Sequence, residues 1–272
     1  MMGVLRRGIH GGTVAVVTGG GTGIGRAVAL ELARCGADVV ICGRRPEPLE
    51  KTAAEIEALG VRVLAMPTDV RDDVSVRRLV GSALERFGHI DTLVNNAGGQ
   101  FAAPAEQITG KGWRAVHRLT VDATWAVTRE VAVRAMIPQR SGAIFFVAFS
   151  PRRGIASMVH ASSARAALEN LAAGLALEWS RFGIRTICIA TGTIATEGMA
   201  NNYPQDERAR WEAAVPLGRF GTQEEVAGVI TFLASPAGGY VTGTTLVVDG
   251  GADAWGNGYP APQRVTTKGT VN

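Results

Sequence analysis

The stretch Thr18-Gly19-Gly20-Gly21-Thr22-Gly23-Ile24-Gly25 stands between a short apolar run, Val14-Ala15-Val16-Val17, and the segment Arg26-Ala27-Val28-Ala29-Leu30-Glu31-Leu32-Ala33. The apolar residues of that segment recur at helical spacing. The order is therefore strand, glycine-rich turn, helix. A helix N-terminus presents unpaired N–H groups and the positive end of the macrodipole, which suits a phosphate. Glycines let the backbone approach that phosphate with no Cβ in between. Alone, the turn fits a nucleotide site or an ordinary structural turn, since glycine turns occur for many reasons, and the rest of the chain must decide.

Outward from the turn, strands and helices alternate. Residues 37–42 form a second apolar run, with Gly36 ending the preceding helix. Residues 46–59 are helical, with Leu49, Ala53, Ile56 and Leu59 on one face. A third strand is expected over 61–66, a helix over 72–87 and a fourth strand over 91–95. A long helix follows over 113–137, ended by Pro138, then a fifth strand over 143–148 and a helix within 157–182. A sixth strand over 184–190, a helix over 222–234 and a seventh strand over 245–248 complete the pattern. Continuously apolar strands alternating with helices predict an α/β fold, one doubly wound parallel sheet of about seven strands with helices on both faces. The domain is expected over 13–252, after an N-terminal extension at 1–12. A polar segment at 197–215 reads as a cover over a site, and 253–272 as a Gly-, Pro- and Thr-rich tail.

Composition narrows the function classes. The 272 residues suit a single α/β domain. The net charge is only +4, and the basic residues are dispersed apart from a few Arg pairs, which argues against a nucleic-acid partner. No apolar run approaches the roughly 20 residues of a membrane span. Met1 to Gly12 is basic and lacks the apolar core of a signal peptide. Cys35, Cys42 and Cys188 are scattered and odd in number, unlike a disulfide framework or a zinc site. No metal is expected, and a reducing cytoplasm is the expected compartment.

In such a sheet the ligand crevice lies at the carboxyl ends of the strands. Strand two ends at Cys42-Gly43-Arg44-Arg45. A dinucleotide without a 2′-phosphate usually meets an acid about 20 residues after the turn. Here Arg44 and Arg45 stand instead, and a guanidinium pairs with a 2′-phosphate. The reading is NADPH over NADH, with Arg26 placed to assist; the alternative is that these arginines are ordinary solvated residues. Strand three ends at Thr68-Asp69-Val70, where Asp69 can accept from the adenine amino group while Val70 packs on the ring. The alternative there is helix capping by Asp69 or Asp72. Strand four ends at Asn95-Asn96-Ala97-Gly98-Gly99, either a purely structural turn or a ribose contact.

The glycine turn, Asp69-Val70, Asn95-Asn96-Ala97-Gly98 and Thr242-Gly243 with Val248-Asp249-Gly250-Gly251, in this order, resemble the short-chain dehydrogenase/reductase family over about residues 12 to 251. The resemblance implies a Rossmann-type fold, a nicotinamide cofactor on Gly19, Gly21, Thr22, Gly23, Ile24 and Gly25, and assembly as homodimers or homotetramers. It implies cofactor contacts from Asn96, Ala97 and Gly98. In Thr191-Gly192-Thr193-Ile194-Ala195-Thr196, it puts Gly192, Ile194 and Thr196 beside the cofactor, with Thr196 at the carboxamide. Thr191 stands where a Pro-Gly pair is usual.

The catalytic positions depart from that family pattern. The usual Tyr-x-x-x-Lys pair falls on Ala161 and Arg165, the usual Ser near Ala148, Phe149 and Ser150, and the usual Asn on Thr120. A ketone reductase needs a proton donor where the missing phenol would stand. Asn95-Asn-Ala-Gly-Gly-Gln-Phe101, Val159-His160-Ala-Ser-Ser-Ala-Arg165-Ala and Leu175-Ala-Leu-Glu-Trp179 resemble the branch of peroxisomal trans-2-enoyl-CoA and 2,4-dienoyl-CoA reductases. That branch implies NADPH-dependent reduction of an activated double bond, with an acyl-CoA as first substrate. Arg165 would hydrogen-bond the nicotinamide ribose and add positive charge near a developing enolate. His160 could donate a proton, and Ser150, Ser162 and Thr120 are hydroxyl candidates for the oxyanion. Two alternatives stay open: a ketoreductase or tailoring enzyme on a polyketide or steroid-like carbonyl, and a cofactor-binding partner subunit without turnover.

Overall fold

The computed structural model describes residues 5–149, 154–198 and 204–255, without the side chains of Glu207 and Trp255. Strands β1 (Val14–Thr18), β2 (Asp38–Gly43), β3 (Val63–Pro67), β4 (Thr92–Asn95), β5 (Gly142–Phe149), β6 (Ile184–Thr191) and β7 (Thr244–Val248) form one parallel sheet. Their order is β3-β2-β1-β4-β5-β6-β7. Helices α1 (Gly23–Arg34), α2 (Pro46–Glu57) and α3 (Asp73–Phe87) connect the first four strands. A long helix α4 (110–139) leads to β5, and α5 (Val159–Trp179) leads to β6. Beyond β6 come α6 (Gln205–Ala213), α7 (Gln223–Ala234), β7 and the short α8 (Ala252–Trp255).

Strands β1, β2, β4, β5 and β6 are buried on both faces, which is why they read as unbroken apolar runs, while the edge strands β3 and β7 are only partly covered. On β5, Phe146 packs with Val16, Leu93 and Leu168 on one face, while its neighbour Phe145 packs with Val17, Ile41 and Ile230 on the other. Strand order reverses between β1 and β4, so the crevice opens at their carboxyl ends, beside the glycine turn.

Helix α4 differs from its expected bounds at both ends. It starts at Gly110 because Thr109 caps it, its hydroxyl accepting from the Gly112 N–H at 3.1 Å. It also runs past Pro138 to Gln139 before Arg140 turns left-handed at φ 55. The wider π-helical turn at Ala132–Met136 gives the proline ring room against the turn before it. A second π-helical turn, Arg118–Asp122, contains Thr120.

The N-terminal segment is tied to the domain. His10 is buried, and its Nε2 lies 2.9 Å from the Thr231 carbonyl on α7. Among the described residues no helix is long and apolar enough to cross a membrane.

Candidate active site

The ends of β1 and β4 are stapled together at the glycine turn. The Thr18 hydroxyl donates to the Val94 carbonyl at 3.3 Å and accepts from the N–H groups of Asn96 and Ala97, each at 3.0 Å. The Asn96 amide donates to the Thr18 carbonyl at 3.0 Å. Gly19 has φ +67, and a Cβ on Gly25 would run into the Gly19 carbonyl oxygen and the Asn96 amide. This spacing admits only glycine. Thr22 precedes α1 in extended geometry, and its side chain makes no capping bond. The first N–H groups of α1 are thereby left for an anionic ligand.

A cleft of about 240 Å³ runs from this turn across the ends of β2 and β3. It brings together Gly19, Gly21, Thr22, Arg44, Arg45, Asp69, Val70, Asn96, Ala97 and Gly98, with Pro48, Leu49 and Leu119. Arg44 and Arg45 are exposed and make no direct ion pair among the described residues. Arg26, expected to assist them, pairs with Glu55 on α2 instead. The capping of α3 falls to Asp72, whose carboxylate accepts from the Ser75 N–H at 2.9 Å and the Ser75 hydroxyl at 2.6 Å. Asp69 is left to line the cleft, gripped by Arg71: Nε donates to Oδ1 at 2.9 Å and Nη2 to Oδ2 at 2.6 Å. The Arg71 guanidinium holds the Asp69 carboxyl down at about 2, and Arg44 pulls in the same direction through space. A glycine cradle, an uncapped helix start, an Asp ionised at neutral pH and two guanidiniums without an ion pair among the described residues fit a dinucleotide phosphate carrying an adenine.

At the other end of the crevice, Arg165 of α5 reaches under Gly98. Its Nη1 donates to the Val147 carbonyl at 2.5 Å, and its guanidinium carbon lies 4.5 Å from the centre of the Phe149 ring. Burial pushes its pKa down to about 10, which leaves it charged at neutral pH. Ala161 is buried with Val116 and Ala164, against Val121, Phe149 and Met158. The neighbouring His160 is fully buried, and neither ring nitrogen has a hydrogen-bond partner among the described residues. Its ring centroid lies 4.3 Å from that of Phe101. Burial lowers its pKa, His117 lowers it further, and the Phe101 backbone opposes the shift.

The remaining expected residues are placed as follows. Thr120 is buried in the π-helical turn of α4, a backbone irregularity that recurs at functional sites. The Ser162 hydroxyl donates back to the Met158 carbonyl of its own helix at 3.1 Å. Ser150 lies outside the described residues. Gly192 is packed against Asp249, and Ile194 is buried and bridged to Gly221. Thr196 approaches the start of α1, 3.9 Å from where a Cβ on Gly23 would stand. Gly23, Ile24 and Gly25 form the first turn of α1. Of the cover segment, 205–213 is helical as α6, whereas 199–203 lies outside the described residues.

The sequence reading missed Arg71, the Thr18 staple and the Phe101–His160 contact. The first had a signal: an Arg two residues after an Asp at a strand end can fold back on it, as Arg71 does, with its own N–H donating to Asp69 Oδ1 at 3.0 Å.

Comparison with known proteins gives the family. A profile described as Enoyl-(Acyl carrier protein) reductase matches residues 19–253. The chain is 37% identical over 249 residues to a Bacillus subtilis protein assigned as 2,4-dienoyl-CoA reductase [(2E)-enoyl-CoA-producing], covering 90% of this chain and 97% of that one. It superposes on the citronellol catabolism dehydrogenase AtuB of Pseudomonas aeruginosa with a TM-score of 0.83 at 38% identity, over 93% of this chain and 100% of that one. It matches a Beutenbergia cavernae structure assigned as an NAD(P)-dependent gluconate 5-dehydrogenase, with NADP bound at low occupancy, with a TM-score of 0.84 at 36% identity, over 90% and 98% of the two chains. With the parallel seven-stranded sheet and the glycine cradle at its switch point, these matches establish that the chain is an oxidoreductase of the short-chain dehydrogenase/reductase family.

Proposed function

We propose that the chain is an NADPH-dependent reductase of an activated carbon–carbon double bond, with an enoyl-CoA-type thioester as substrate. The observation that carries this reading is the combination, on α5 beside the end of β5, of a buried, apolar Ala161 with a charged Arg165. An alcohol-forming reductase must protonate an oxygen, and Ala161 offers no group to do so. Reduction of a conjugated thioester puts charge on an enolate and the proton on carbon, which relaxes that demand.

The bound cofactor supplies the hydride. Arg44 and Arg45 hold its 2′-phosphate, Asp69 accepts from the adenine amino group, and the glycine cradle with the start of α1 takes the diphosphate. Asn96, Ala97 and Gly98 flank the ribose, and Gly192, Ile194 and Thr196 close the nicotinamide end. Arg165 orients the ribose and stabilises negative charge on the thioester oxygen; at its pKa it keeps its own proton. Thr120 and Ser150 are hydroxyls for that oxygen; Ser162 could join them only by giving up its bond to the Met158 carbonyl. His160 delivers the proton to carbon. Its ring, without a hydrogen-bond partner among the described residues, has capacity for a substrate or a water, and its lowered pKa makes the imidazolium a better proton donor than a free one.

Three buried free cysteines suit a reducing cytoplasm, and the assembly is a homodimer or homotetramer. The experiment is a panel assay of NADPH oxidation with 2-enoyl- and 2,4-dienoyl-CoA thioesters, with ketones and sugars, and without substrate. Turnover confined to the thioesters supports the reading. Turnover with carbonyls alone, or tight NADPH binding with no turnover on any of them, overturns it.

A further inference from the structure

Arg71 is not among the residues that line the cleft, yet it holds one that is, Asp69. Its guanidinium forks the Asp69 carboxylate through Nε and Nη2, and its backbone N–H adds a third bond at 3.0 Å to Oδ1. The Arg71 backbone carbonyl in turn accepts from Arg118 Nη2 on α4 at 3.3 Å. Asp69 is therefore fixed, with about a third of its side chain still exposed at the cleft (37%). Arg44 also lines the cleft and interacts through space with the same carboxylate. Without Arg71, Asp69 would be a lone anion beside Arg44. It would draw that guanidinium to itself and repel a dianionic phosphate placed there.

We infer that Arg71 is a positioning residue that sets cofactor specificity: by gripping Asp69 it keeps Arg44 available to a 2′-phosphate and leaves Asp69 turned toward adenine. This rests on the reading of the cleft as an NADPH site. The specificity of the cleft is thus a three-residue balance of Arg44, Asp69 and Arg71, in which the Asp needed for the base would otherwise oppose the phosphate.

The test is fluorescence titration of NADPH and NADH, at low salt, into wild type, Arg71→Ala, Arg71→Lys and the double variant Asp69→Asn with Arg71→Ala. Arg71→Ala is expected to lower the preference for NADPH over NADH by about fivefold, less as salt is raised. Arg71→Lys keeps the charge without the fork and should retain most of the preference. The double variant removes the stranded anion and should restore the preference. If Arg71→Ala leaves the ratio unchanged, or the double variant fails to restore it, the inference is wrong. If the wild type itself binds NADPH no tighter than NADH, the cofactor reading has failed, and the role of Arg71 falls with it. A preserved wild-type preference with an insensitive Arg71 sinks the inference alone.

Discussion

Gly98 and Arg165 fit together: a Cβ on Gly98 would stand 2.5 Å from Arg165 Nη2. The guanidinium fills the space that a side chain on β4's loop would take, and from there it reaches the Val147 carbonyl on β5. Gly98→Ala should therefore push Arg165 off its position while leaving its charge intact. Misplacement of a catalytic group by about 1 Å costs on the order of 100-fold, so we expect a kcat loss of about 10- to 100-fold. Steady-state kinetics with the best thioester of the panel measures it. An unchanged kcat would remove Arg165 from the chemistry.

Ala161→Tyr restores the side chain usual in this family but places it among Val116, Ala164, Phe149 and Met158. Overpacking of this kind costs about 1–3 kcal/mol. The variant should melt several degrees lower and gain no ketone reduction. A stable variant that reduces ketones would show that the phenol alone was missing.

Stability should fall as the medium becomes acidic below the ordinary histidine range. His10 is buried, and burial lowers its pKa below 6.5. The unfolded chain then binds a proton that the folded chain refuses, so unfolding is favoured as pH drops through 6.5. His160 acts in the same direction. Melting temperatures between pH 7.5 and 5.5 should decline, and His10→Gln should decline less steeply. An equal slope in wild type and variant would contradict the assignment.

If imidazolium at His160 donates the proton, kcat/KM should rise as pH falls, with its midpoint below 6.5, because burial lowers the pKa in the free enzyme. His160→Phe should lose that limb of the profile. A wild-type profile flat from pH 5 to 8 would assign the proton to water.

The fold was legible because continuous apolar strands and glycine helix stops are local signals. The strand ends that build the cleft followed from them, including Arg44, Asp69 and Asn96. What stayed hidden depends on partners distant in sequence or on competing local bonds. Capping by Asp69 or by Asp72 is an alternative that the sequence leaves open, and the Ser75 contacts give the cap to Asp72. Arg26 reads as placed to assist Arg44, but Glu55 lies across from it on the neighbouring helix. Pro138 read as a helix end because nothing in the sequence announces the wide turn before it. The contact of Phe101 with His160 joins a loop to a helix start 59 positions later, and no periodicity encodes it.

The most direct measurement follows the hydride. With NADPH deuterated at C4 and a 2,4-dienoyl- or 2-enoyl-CoA, the product should carry one deuterium on a chain carbon of the reduced double bond, the thioester carbonyl remaining intact. Deuterium on a newly formed carbinol carbon, or none transferred to any thioester while a ketone takes it up, would contradict the account.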